Sequence, residues 1–222
     1  MKLSTETIVS MLKTLQTEFP GWNSPVSRFH SETRDTPYTV LISTLLSSRT
    51  KDETTSAASA RLFAAADTPE KMIALTVPEI EKLIFPVGFY HVKAERVLAV
   101  SHILIDSYNG KVPSTMEELI GLPGVGRKTA SLVLTDGFDI PAICVDVHVH
   151  RIMNRWGYVE TRRPVETETA LREKLPLEWW KTVNLILVGF GQTICKPLSP
   201  CCGTCPVRDD CPKTGVIRAG KC

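Results

Sequence analysis

Leu122-Pro123-Gly124-Val125-Gly126-Arg127-Lys128-Thr129-Ala130 is the stretch of this 222-residue chain from which the architecture is read. A proline–glycine turn separates two runs with helical punctuation. Ser114-Thr115-Met116-Glu117 fits a capping box that opens a short helix ending near Gly121, and a second helix begins around Arg127. Gly124 and Gly126 can take backbone angles closed to other residues and let backbone N–H groups approach a partner closely. Those amides, with the positive end of the new helix, make an anion site, and a DNA phosphate is its natural guest, bound without regard to sequence. The plainer alternative is an αα-hairpin whose glycines only permit tight packing. Two glycines bracketing one residue after proline, followed by Arg127 and Lys128, favour the phosphate reading.

Lys128 stands in the first turn of that second helix. A surface charge near phosphate is its plain role; a nucleophile is the other. A free lysine amine has a pKa near 10.4, so only about one in a thousand is neutral at pH 7. A helix N-terminus and partial burial would both favour the neutral amine. An amine that attacks a sugar C1′ retains the sugar as a Schiff base, which water cannot do. Lysine chemistry here therefore means base release coupled to strand cleavage.

About twenty residues on, Val145-Asp146-Val147-His148-Val149-His150-Arg151 leads into a helical pattern (Val149, Ile152, Met153, Trp156) that stops at Gly157. Asp146 is placed to cap that helix, and capping N–H bonds would hold its carboxylate ionised. An ionised carboxylate near Lys128 could accept a proton from the amine or stabilise a cationic sugar. His148 and His150, two apart on a helix, cannot share one face as metal ligands. His148 is read as ordering the helix start, and Arg151 and Arg155 as candidate phosphate contacts.

Five of the seven cysteines fall within residues 195–211. Cys195, Cys202, Cys205 and Cys211 offer one tight pair flanked by single cysteines on wider loops. Zinc sites usually present two tight pairs or a cysteine pair with a histidine pair. Cysteine-only ligation with mixed spacing suits a [4Fe–4S] cube. Zinc and unligated thiols stay open on spacing alone. Lys196, Arg208, Lys213 and Arg218 are near enough in sequence to offset the negative charge of a thiolate-bound cube. Cys201 could replace Cys202 in the register. Cys144 is expected in the core, and Cys222 as a free terminal thiol.

Composition sets the outer bounds. A formal net charge of +2 is too small to announce a nucleic-acid partner, so any such case must be local. The N-terminal segment carries Ile8, Met11, Leu12, Leu15 and Phe19 at helical spacing and has no signal-peptide pattern. No stretch approaches the roughly 18 apolar residues of a membrane span. A cytoplasmic protein, nucleoid-associated if bacterial or archaeal, is the expectation. Thr68-Pro69-Glu70 and Pro164 read as helix starts, and Phe85-Pro86-Val87-Gly88 as a break before a helix that runs to about Tyr108. Tyr38–Ser47 suits a helix buried on most sides, and Glu178 to about Ile194 reads as another. No alternating strands, repeats or low-complexity linker emerge, and the pattern is all-α.

Three features, LPGVGRKTA at 122–130, VDVHVHR at 145–151 and the cysteine spacing from 195 to 211, together resemble the endonuclease III family of helix-hairpin-helix glycosylases, over nearly the whole chain. The resemblance implies two helical domains with an active-site cleft between them. One is a six-helix domain at 30–140 carrying the hairpin; the other combines 1–29 with 141–222 and houses the cluster. It implies a monomer that acts on damaged double-stranded DNA, a [4Fe–4S] cluster on Cys195, Cys202, Cys205 and Cys211, Lys128 as Schiff-base nucleophile and Asp146 as its acid/base and electrostatic partner. Substrates would be oxidised or ring-damaged pyrimidines, flipped out of the stack. DNA contacts would come from Arg49, Leu122, Gly124, Gly126, Arg127, His148, Arg151 and Lys196. Arg49 stands where the family places a glutamine to fill the gap left by the flipped base. Adenine and thymine-mismatch glycosylases share the fold but typically lack the lysine. A non-catalytic DNA-binding hairpin protein would need neither Lys128 nor Asp146.

Overall fold

The computed structural model describes residues 3–26 and 36–220, and among these there are helices and turns with no strand. The chain forms two compact units, Phe29–Ala142 and a second that joins Met1–Arg28 to Ile143–Cys222.

In the contiguous unit, α2 (Pro37–Ser47) is the hub. Every residue from Tyr38 to Leu46 is buried, as its unbroken apolar and hydroxyl composition leads one to expect. Thr36 starts it with a capping box in which Thr36 and Thr39 serve each other's amides, a device that stabilises a helix by about 1 kcal/mol. Around it pack α3 (Asp52–Ala65), α6 (Tyr90–Tyr108), α8 (Arg127–Leu132) and the π-turn Val133–Gly137 that continues α8. The single turn α4 (Pro69–Met72) and α5 (Val77–Ile84) close the unit against α6 and α3. The short α7 (Met116–Gly121) precedes the glycine turn. Its N-cap is Thr115, whose hydroxyl accepts from the Glu118 amide at 3.3 Å, one residue later than the box expected at Ser114.

In the second unit, α1 (Thr5–Glu18) buries Ile8, Met11, Leu12 and Leu15 at 0–1% exposure, one apolar stripe at i, i+3, i+4, i+7. Each such side chain contributes about 2 kcal/mol of burial free energy, which ties the N-terminal segment to a core otherwise built from the C-terminal half. It packs on α11 (Val183–Thr193), which in turn packs on α9 (Val147–Arg155); α9 also packs on α10 (Pro164–Lys174). The helix expected from Glu178 to Ile194 is split into a 3-10 turn, Leu177–Trp179, and α11. The split follows from two adjacent tryptophans with different demands: Trp179 is buried, while Trp180 turns its Nε1 back to Leu175 O at 2.9 Å. Cys144 lies in the core, as its apolar surroundings in the sequence lead one to expect. Cys222 lies outside the described residues.

Candidate functional site

A cavity of about 610 Å³ opens in the contiguous unit. That is within the usual size of small-ligand clefts and leaves room for a nucleoside. Its walls come from three places: the end of α2 and the loop after it, the start of α6, and the glycine turn with the start of α8. Arg49, Phe89, Lys93, Arg96, Gly124, Gly126 and Lys128 all line it. The cavity is therefore strongly cationic, although the whole chain is nearly neutral. Such local charge focuses an anionic partner far better than net charge does.

The two glycines of the turn do different jobs. Gly124 has φ +80, a conformation that demands glycine, and a Cβ there would lie 2.8 Å from Cδ of the exposed Arg96 side chain, which would have to shift. Gly126 has φ −98 and ψ 175 as the N-cap of α8, an extended geometry open to any residue, and nothing stands within 4 Å of where a Cβ would be. Of the two glycines, only Gly124 uses the freedom to take a positive φ. Its bare face looks onto open space, where a bulky partner could reach the backbone.

Leu122 is buried beneath the turn, whereas Arg127 and Lys128 are exposed. The partial burial expected for Lys128 is not seen in this chain, because the first turn of α8 faces out and its core-facing residues are Ala130 and Ser131. Arg49, also exposed, holds φ +52 and places its guanidinium 5.6 Å from the Phe89 ring centroid. Phe89 itself has φ +59 and is 62% exposed. Sequence reasoning missed Phe89. It also missed Lys93, which is 5% exposed and occupies the apolar stripe of α6 four residues before Val97. Burial first, then the neighbouring Arg96, push the Lys93 amine down to about 8.

In the second unit Asp146 caps α9: its Oδ1 accepts from the amides of His148 and Val149 at 2.8 and 3.0 Å. The acidic side chain is thereby fixed at the positive end of the helix. His148 Nδ1 lies 3.2 Å from Arg151 Nη2, and that guanidinium nitrogen donates to Cys195 O at 2.8 Å. A Cβ on Gly191 would collide with the His148 ring, so α11 needs glycine to let α9 approach. Arg151 is thus engaged within its own unit, half-buried. Arg155 is corrected outright as a phosphate contact. It is 7% exposed, and its guanidinium donates to Cys195 Sγ at 3.1 Å, Lys196 O at 3.1 Å and Pro197 O at 3.2 Å. Lys196 is exposed.

Cys195, Cys202, Cys205 and Cys211 carry free thiols and line one small cavity. Cys201 is disulfide-bonded, whereas the thiol of Cys202 is free. Burial raises the Cys195 and Cys211 thiols above their usual range and pushes Cys205 up to about 11. Such thiols ionise when a metal takes the place of the proton. Among the described residues, no three His, Cys, Asp or Glu side chains converge as ligands of a single metal ion. Four soft donors around one cavity suit a thiolate-held iron–sulfur group. Arg155 touches a sulfur directly, and of the predicted cations Lys213 acts electrostatically on the Cys211 thiol while Arg208 lines the same cavity. Of those, Arg208 is exposed and paired with Asp209 at 3.1 Å.

Residues 42–177 match the HhH-GPD superfamily of base excision DNA repair proteins. The chain is 48% identical over 187 residues to endonuclease III of Thermotoga maritima, covering 84% of this chain and 88% of that one. Two solved structures share the fold at a TM-score of 0.84. One is a non-covalent endonuclease III–DNA complex, 35% identical and covering 95% of this chain and 96% of that one. The other is a trapped endonuclease III–DNA covalent intermediate in an estranged-adenine complex, 34% identical and covering 95% and 97%.

Proposed function

Because the chain belongs to the endonuclease III family, we propose a lysine Schiff-base mechanism for a base excision repair DNA glycosylase and abasic-site lyase. The observation that carries it is the cationic cavity holding an exposed Lys128 beside the glycine turn. Phosphate contacts from the Gly124 and Gly126 amides and from Arg127 hold the duplex, with Leu122 packing the turn from below and His148 and Lys196 contributing from the second unit. Arg49, stacked on Phe89, fills the space left when the damaged pyrimidine leaves the helix. Filling that space lowers an extrusion cost of a few kcal/mol. Arg151, turned toward Cys195, positions rather than touches DNA.

The neutral Lys128 amine attacks the sugar C1′, the glycosidic bond breaks, and its electron pair departs with the base. The proton lost by nitrogen is accepted at Asp146, whose ionised carboxylate also steadies the cationic sugar. The C1′–O4′ bond of the resulting aminal then breaks, O4′ taking up the proton held at Asp146, and leaves an iminium that acidifies C2′; removal of that proton expels the 3′ phosphate by β-elimination, and water releases the lysine. Cys195, Cys202, Cys205 and Cys211 would hold a [4Fe–4S] group, which when bound cross-links the C-terminal segment. Among the described residues no helix is long and apolar enough to cross a membrane, and we place the protein in the cytoplasm as a monomer on damaged duplex DNA.

Borohydride trapping on DNA bearing an abasic site tests the reading. The wild-type chain should form a covalent adduct, and Lys128→Gln should form none while still binding DNA. An adduct of undiminished yield with Lys128→Gln would refute the assignment.

A further inference from the structure

The apolar stripe of α6 is interrupted by a lysine. Lys93 lies in line with Val97, Val100 and Leu104, and it is nearly as buried as they are. A buried ammonium costs several kcal/mol unless its donors are satisfied. Lys93 Nζ donates to Leu46 O at 2.8 Å, Ser48 O at 2.6 Å and Thr50 Oγ1 at 3.1 Å. These use all three donors of the group. Leu46 is in the last turn of α2, where carbonyls have no partner within the helix. A cation is favoured there by both the orphan carbonyls and the helix dipole.

The three acceptors flank Arg49, whose left-handed backbone is rare for a side-chain-bearing residue. The other side of the same loop is fixed independently. Thr50 Oγ1 accepts from the Gly88 amide at 3.1 Å, and Gly88 has no room for a Cβ because Arg49 O would lie 2.8 Å away. The loop is thus clamped between a buried ammonium and a glycine.

We infer that Lys93 is a positioning residue: its ammonium caps α2, fixes the 46–50 loop, and so sets where the Arg49 guanidinium stands in the cavity that also holds Lys128. This rests on the proposed function, since it assigns the loop's order to base extrusion rather than to the lysine chemistry.

The test uses the full chain with Lys93→Met and Lys93→Arg. Trypsin cleaves after Arg49 and Lys51 when that loop opens. In Lys93→Met, cleavage at those two bonds should accelerate roughly tenfold or more, with other sites unaffected, since three charge-assisted hydrogen bonds are lost. Single-turnover release of a damaged pyrimidine from duplex DNA should fall by about tenfold or more, and borohydride trapping on a single-stranded abasic site should fall distinctly less. Lys93→Arg should recover part of both losses. Thr50→Val, which removes one acceptor of the lysine and the acceptor of the Gly88 amide while leaving the lysine bonded to two carbonyls, should show the same pattern and serves if Lys93→Met fails to fold. Unchanged cleavage after Arg49 and Lys51, or an equal fall in both reactions, overturns the inference. A wild-type chain that forms no adduct with abasic DNA would instead sink the proposed function, and the trypsin comparison would still decide whether Lys93 holds the loop.

Discussion

Replacing Arg155 by leucine should loosen the cysteine-rich segment before it touches anything else. The guanidinium makes three hydrogen bonds, to Cys195 Sγ, Lys196 O and Pro197 O, from a nearly water-free position. Charge-assisted bonds of this kind are worth about 1.5–3 kcal/mol each, or roughly 4–9 kcal/mol gross. The guanidinium's own desolvation offsets several kcal/mol of that, and leucine refills part of the volume. A net loss of about 3 kcal/mol remains. With a urea m-value of about 2 kcal/mol/M, the unfolding midpoint should drop by about 1.5 M. The four tryptophans, Trp22, Trp156, Trp179 and Trp180, all lie in the unit that contains Arg155, so their fluorescence reports its unfolding directly. Iron release from the loaded protein to a chelator should quicken in parallel, because Cys195 and the two carbonyls lose their shared anchor. Arg155→Lys keeps the charge but not the planar fork, and should fall between wild type and Arg155→Leu. A midpoint within about 0.3 M of wild type, with unchanged iron release, would refute the reasoning.

Gly124→Ala should cost about 1–2 kcal/mol in thermal unfolding, from its positive φ and the contact with Arg96, whereas Gly126→Ala should be nearly neutral in stability yet weaken DNA binding measured by anisotropy. Asp146→Asn keeps a side-chain oxygen for the His148 and Val149 amides, so stability should change by less than about 1 kcal/mol while single-turnover base release falls roughly a hundredfold. Equal losses of stability and activity would reduce Asp146 to a cap. For Lys93 the folded amine titrates at about 8, below its unfolded value of 10.5. Between these the unfolded chain binds more protons, so stability rises with pH through that window. Urea unfolding of wild type should therefore gain up to about 3 kcal/mol on Lys93→Met between about pH 7 and 11; Arg96, and Arg49 and Lys128 lining the same cavity, are present in both. A constant difference would show that Lys93 is not depressed.

The amino-acid sequence determined most features that depend on neighbours along the chain. Helical periodicity marked Ile8 to Leu15 as a buried face, a nearly unbroken apolar and hydroxyl run marked Tyr38 to Leu46 as buried on most sides, the glycine turn located the hairpin, and Asp146 was legible as a cap because a cap is a relation between residues two or three apart. The cysteine spacing could not tell Cys201 from Cys202; the fold leaves the Cys202 thiol free and Cys201 in a disulfide. Tertiary structure decided the roles that depend on what lies across the fold. Arg155, a plausible phosphate contact on its own helix, meets a sulfur 40 residues away; Lys93, read as one residue of a helix, caps another helix 47 residues upstream. Gly126 differs from Gly124 through its backbone angles and the space around it, neither of which the shared residue type reveals. The reason is physical. Backbone propensity and capping act over one helical turn, whereas the fate of a buried charge is set by acceptors that only folding brings within hydrogen-bond reach.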